Sequence, residues 1–152
     1  MNFIIKGPNG FVEINIKEVF GHPDRTCMWG GYETTSKLTF RGSRFLMERE
    51  LYLSTGEIYN FYNELYTAHS LLKGEAKLFH EGILLLTVNY DSISNVLVKG
   101  ELSSDYDEDG NFIRFKLETD QSYIIETLVN IRQIVNEYGD NTGGIPKDIN
   151  VQ

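Results

Sequence analysis

Between residues 101 and 139 the sequence changes its period, and that change limits the folds open to the chain. An acidic run at 103–111 gives way at 112–118 to strict alternation. Ile113, Phe115 and Leu117 point one way, and Arg114, Lys116 and Glu118 the other, the pattern of a half-exposed antiparallel strand. Thr119-Asp120-Gln121-Ser122 then reads as a helix start, with Thr119 or Asp120 as the cap and Asp120 well placed at the positive helix end. From there the period becomes helical. Ile124, Leu128, Ile131, Val135 and Tyr138 form one stripe, widened by Ile125, Val129 and Ile134, and Gly139 ends it. At about 2 kcal/mol per buried large apolar side chain, such a stripe contributes on the order of 10 kcal/mol gross. Chain ordering offsets much of this. A charge set into the stripe, as in Leu128→Asp, is expected to unfold the domain. A strand and a helix of this kind hold the acidic loop between them and the preceding strand rigidly at a surface.

The remaining chain supplies the sheet and a second helix. Residues 3–5 and 11–16 read as strands, with Pro8 ending the first and Asn9-Gly10 suited to a tight hairpin because both tolerate positive φ. Residues 20–32 are irregular, punctuated by Gly21, Pro23, Gly30 and Gly31, and read as a surface loop pinned by its aromatics. Residues 35–41 and 45–53 are the next strands. In the second, Phe45, Met47, Leu51 and Leu53 share a face that Arg49 interrupts, as a paired charge at a sheet rim would. Ser54-Thr55-Gly56-Glu57 is a capping box opening a helix over about 54–72, with Ile58, Phe61, Tyr62, Leu65, His69 and Leu72 on its apolar stripe and Gly74 as its stop. Three strands follow at 76–80, 83–90 and 96–102. The middle one is apolar on both faces at its start, hence central, and Lys99 and Glu101 face out from the third. The order of strands, helix, strands, helix predicts an α+β fold, a mainly antiparallel β-sheet covered by two α-helices at about 54–72 and 120–138.

At 152 residues the chain suits one domain, read as 1–139, with 140–152 as a flexible C-terminal tail poor in apolar residues. The single cysteine, Cys27, cannot form an internal disulfide and fits a reducing cytoplasm. The first residues lack the pattern of a signal peptide, and the longest apolar run, 83–86, is too short to span a membrane. A cytoplasmic location is expected. The net charge of −8 is uneven: residues 1–99 carry −1 and residues 100–152 carry −7. Nucleic acid and anionic membranes are therefore poor partners for the C-terminal third, and a basic protein is a better one. Acidity that merely keeps a chain soluble accounts for the same numbers.

Three readings stay open for Asp105-Tyr106-Asp107-Glu108-Asp109-Gly110-Asn111. It imitates the first half of a calcium loop, but Lys116 stands where the bidentate glutamate is due and the flanks are strands. It suits a solvated hairpin tip, with Asp and Gly chosen for turn geometry. It also suits an acidic prong for a cationic partner, with Asp105, Asp107, Glu108 and Asp109 as charges and Tyr106 as an aromatic anchor. A competing contact set is the exposed strand face of Glu101, Arg114, Lys116 and Glu118. His22 and Cys27 alone make no zinc site. The motifs of serine hydrolases, zinc proteases and phosphate-binding loops are missing. No catalytic residue, metal ligand or cofactor is assigned, and the alternative to an interaction protein is a small-molecule or calcium-binding module.

Two stretches carry a family resemblance. Leu51-Tyr52-Leu53-Ser54-Thr55-Gly56-Glu57-Ile58-Tyr59-Asn60-Phe61-Tyr62, followed by Lys73-Gly74-Glu75-Ala76, resembles the strand-into-helix segment of bacterial WapI-type immunity proteins. Phe115-Lys116-Leu117-Glu118-Thr119-Asp120-Gln121-Ser122-Tyr123 resembles that family's late strand-to-helix junction. The resemblance spans about residues 45–139. It implies a non-enzymatic protein that binds and neutralises the C-terminal toxin domain of a wall-associated, contact-dependent protein, often a nuclease, made by the same cell. The shared residues look like scaffold, so the contact residues are inferred from charge: Asp105, Tyr106, Asp107, Glu108 and Asp109, filling a basic cleft made for phosphates.

Overall fold

The computed structural model describes residues 1–91, 93, 95–104 and 110–144. Two antiparallel meanders account for all the strands among them. β1 (Asn2–Gly7), β2 (Gly10–Val19), β3 (Thr34–Arg41) and β4 (Leu46–Leu51) form one four-stranded sheet in chain order. Helix α1 (Thr55–Leu71) then leads to β5 (Gly74–His80), β6 (Leu84–Tyr90), β7 (Asn95–Ser103) and β8 (Phe112–Asp120), a second sheet in chain order, and α2 (Gln121–Tyr138) follows directly. The fold is α+β, and the strands divide into two sheets because α1 carries the chain out of the first meander before the second begins. As expected, β6 is internal and buried on alternate positions.

One core joins all four parts. Inward residues such as Phe3, Ile14, Leu38, Phe61, Leu86 and Ile131 belong to a single buried cluster. α1 packs on β5, α2 on β1, and the helices on each other. Phe40 of β3 stacks on Phe115 of β8 with ring centroids 4.3 Å apart, which bolts sheet to sheet. Phe115 can lie there because its strand partner is Gly100: a Cβ at residue 100 would stand 2.1 Å from the Phe115 ring. Among the described residues the buried hydroxyls are all used. Thr127 donates to the Ile4 carbonyl at 2.7 Å, Thr119 to that of Lys6 at 2.6 Å, and Thr34 to that of Leu53 at 2.9 Å. Each bond spares a buried polar group the cost of being left unpaired.

Four local expectations are corrected. The first hairpin turns on Pro8-Asn9, with Gly10 already paired to Gly7, and neither Asn9 nor Gly10 has positive φ. The fixed φ of proline suits the first turn position. Phe45 lies before β4 and is exposed, so the inward face of that strand is Met47, Arg49 and Leu51. Leu72 is not on the α1 stripe; it is the left-handed C-cap at φ 52°, and Gly74 opens β5. On α2, Ile125 and Val129 are exposed and Leu128 is half-buried. The buried line there runs Ile124, Thr127, Ile131, Ile134 and Val135, because Thr127 turns inward to bond β1.

Candidate partner-binding surface

The acidic segment springs from a well-tied stem. Ser103 pairs with Phe112, the Ser104 amide donates to the Asn111 carbonyl at 2.7 Å, and the Asn111 amide donates to the Ser104 hydroxyl at 2.9 Å. The Ser103 amide also reaches the Ile83 carbonyl at 2.8 Å. Arg49, the charge that interrupts the inward face of β4, donates Nη2 to the Ser104 carbonyl at 2.9 Å. It thus ties the stem to the other sheet. Its Nε is buried and has no hydrogen-bond partner among the described residues. Asp105, Tyr106, Asp107, Glu108 and Asp109 themselves lie outside the described residues.

The stem continues into the outer face of the second sheet. Register across the four strands sets side chains in rows. One row is Glu75, Asn89, Leu97, Glu118; the next is Lys77, Thr87, Lys99, Lys116; the third is Phe79, Leu85, Glu101, Arg114. Glu101, Arg114, Lys116 and Glu118, the competing set from the sequence, share this face. Glu101 and Arg114 are ion-paired, and the Arg114 guanidinium lies 5.0 Å from the Phe112 ring centre. A shallow hollow of about 640 Å³ has Leu85 and Thr87 among its lining, with Lys99, Glu101, Arg114 and Lys116 around them. Lys77, Thr87 and Lys99 were missed as members of one row with Lys116. Each strand shows them as outward, but only register brings them side by side.

The two junctions that carried the resemblance do structural work. At the first, Ser54 and Glu57 close the capping box at 2.8 and 3.1 Å. Thr55 Oγ1 accepts from the Tyr32 amide at 2.8 Å, and Gly56 donates its amide to the Gly30 carbonyl at 3.2 Å. That approach needs glycine on both sides: a Cβ on Gly56 would stand 2.5 Å from the Gly30 carbonyl, and one on Gly31 2.3 Å from Thr55 Oγ1. His80 Nδ1 sits 3.0 Å from both Glu57 oxygens. Ser, Glu and His do meet here, but Ser54 is fully buried and its hydroxyl bonds the Trp29 carbonyl at 3.3 Å and the Glu57 amide. This is a cap, not a nucleophile–base pair.

At the second junction Asp120 accepts from the Ser122 amide at 2.8 Å, and the Ser122 hydroxyl and amide hold its carboxyl below the usual range. Thr119 fastens β8 to β1. Beyond α2, residues 140–144 are tied back: the Asn141 carbonyl accepts from Gly31, and Asp140 takes bonds from Thr142 and Gly144. Residues 145–152 lie outside the described residues. Among the described residues no helix is long and apolar enough to cross a membrane.

Two sheets of four antiparallel strands with two helices define the class, and solved structures share it. WHY3 from Arabidopsis thaliana superposes with a TM-score of 0.53 at 13% identity, over 90% of this chain and 86% of that one. The plant transcriptional regulator PBF-2 gives 0.50 at 12%, over 90% and 80%. The CdiA-CT/CdiI toxin and immunity complex from Enterobacter cloacae contains a chain that matches at 0.44 and 14%, over 79% and 97%. At these identities the likeness to the two plant proteins is one of fold alone. No curated protein matches the sequence. The family profile is decisive: residues 3–139 match the immunity protein WapI-like family, and the chain belongs to it. The match takes in residues 3–44, where no resemblance was legible.

Proposed function

We propose that this protein is an inhibitor that binds and neutralises the C-terminal toxin domain of a contact-dependent protein made by the same cell. It acts in the cytoplasm by tight association and carries out no reaction. The observation that carries this reading is membership of the immunity protein WapI-like family over residues 3–139. Charge supports the finer part. Residues 100–152 hold a net −7, and the densest acids, at 105–109, fall in sequence between Ser104 and Asn111, which bond each other. A nuclease presents a basic cleft for phosphates, and Asp105, Tyr106, Asp107, Glu108 and Asp109 would enter it and exclude substrate. Complementary charge of this kind speeds encounter and selects the partner.

The test is co-expression with the toxin domain encoded beside it. The expected result is a stable complex and surviving cells. Death at the same rate with and without the protein would refute the reading. For the tip, replacing Asp105, Asp107, Glu108 and Asp109 by Asn or Ser should slow association about tenfold or more at low salt and far less at high salt. An unchanged rate would remove the tip from the interface.

A further inference from the structure

We infer that the outer face of the second sheet is a second contact for the same partner and receives a carboxylate-bearing segment of the toxin domain. This rests on the reading above that the partner is a toxin domain. The inward side chains of β5–β8 join the core with both helices, and the alternate set points away from it. On that face a chain of net charge −8 sets out a cationic row. Lys77 has a local partner, Glu75, at 3.2 Å. Lys99 and Lys116 do not: they stand directly opposite each other on β7 and β8, and neither has an ion pair among the described residues.

Like charges directly opposite destabilise a strand pair. The next outward acid on β7, Glu101, is already taken by Arg114, and the next on β8, Glu118, forms no ion pair with either lysine among the described residues. The fold therefore gains nothing from this lysine pair, and a carboxylate laid between the two would relieve their repulsion and engage both. The hollow beside the row adds a second requirement. Its lining includes Leu85 and Thr87, and Arg114 is held at its rim by Glu101 and Phe112. A free anion would use only the lysines. A protein segment with an Asp or Glu next to an apolar side chain uses the row and the hollow together. A partner that is basic for the acidic run at 105–109 and acidic for the lysine row docks in a preferred orientation, as complementary charge patches do.

Rates with the toxin domain itself test this, using Lys99→Glu and the double variant K99E/K116E. Both variants make the protein more negative, so attraction to a basic partner should speed their approach. The inference predicts the opposite balance: dissociation at least about tenfold faster, a loss of the size expected when a paired interfacial charge is reversed. Lys99→Glu also turns the like pair into an opposite pair, so its Tm should rise by about 1–3 °C, which separates lost binding from lost folding. Dissociation within twofold of the wild type would overturn the inference and leave the proposed function standing. Failure of the wild type to bind the toxin domain would overturn both. Binding of a single-stranded oligonucleotide that is lost in K99E/K116E, with toxin rates unchanged, would assign the face to nucleic acid instead.

Discussion

The outer faces of the two sheets are built alike and charged differently. On the first sheet, Lys37 pairs in register with Glu50 and forms an ion pair with Glu48 at 3.1 Å, while Asn2 donates to Glu13 at 2.9 Å. Lys37, the cation at the centre of that face, thus has an acid opposite it and another beside it. On the second sheet, Lys99 faces Lys116, and Lys77, one strand beyond Thr87, extends the same row. The first face is what a surface looks like when solubility and strand pairing are its only demands. The second departs from that pattern on the strands that carry the stem of Ser103, Ser104, Asn111 and Phe112. The difference teaches that net charge is a poor guide to how charge is laid out on the faces of an acidic protein. Such a protein can carry a basic row across one sheet face, and only strand register reveals it.

The comparison presumes one shared core behind both faces, and the largest expected effect tests that. Ile131 is fully buried on α2, so Ile131→Asp should give no cooperative unfolding transition by circular dichroism, in either sheet. Loss of structure confined to the helices would break the comparison. Leu128, half-buried at the margin of the stripe, is the weaker site for such a charge. Next comes Gly100→Val, which forces Phe115 off Phe40. It should cost about 1–3 kcal/mol in denaturant unfolding, as overpacking does. Smaller still is a pair of changes of opposite sign. Glu48→Lys on the first sheet should destabilise, and Lys99→Glu on the second should stabilise, each by about 0.2–1 kcal/mol. Equal signs would mean that the two faces do not differ as described.

The smallest effect is a pH dependence. His69 Nδ1 meets the Tyr90 hydroxyl at 2.8 Å, and burial holds the imidazole below its ordinary value of 6.5. The unfolded chain therefore takes up the proton first. The contribution to stability is full above about pH 6.5 and is lost as pH falls through the lowered folded value. The Tm of the wild type should drop between pH 7 and 5 more than that of His69→Gln. Asp120 and Asp140, held low by Ser122 and Thr142, have the same sign in a more acidic window, below their ordinary 3.8.

Local signals carried most of the fold. The capping box at Ser54 and Glu57, the Asp120 cap, the Gly139 stop and the alternation of Val96, Val98, Gly100 and Leu102 are all statements about neighbours in sequence, and all appear as read. What failed needed contacts across the chain. Whether Ile125 or Thr127 turns inward on α2 depends on a carbonyl of β1, and the periodicity alone cannot supply it. Pro8-Asn9 beat Asn9-Gly10 because the turn is set by the pairing of Gly7 with Gly10. The split into two sheets depends on where α1 leaves the first meander. For the candidate surface, the outward set on β8 was legible from alternation. The lysine row was not, since its members come from three strands with a threonine of a fourth between them.

Amide hydrogen exchange, with and without the toxin domain, tests the central claim most directly. The account predicts slowed exchange on binding in the hairpin from Lys99 to Lys116 and along the outward positions of β5 and β6, while β1–β4 are unchanged. Protection confined to the first sheet, or no change in the hairpin in a complex that still inhibits the toxin, would contradict it.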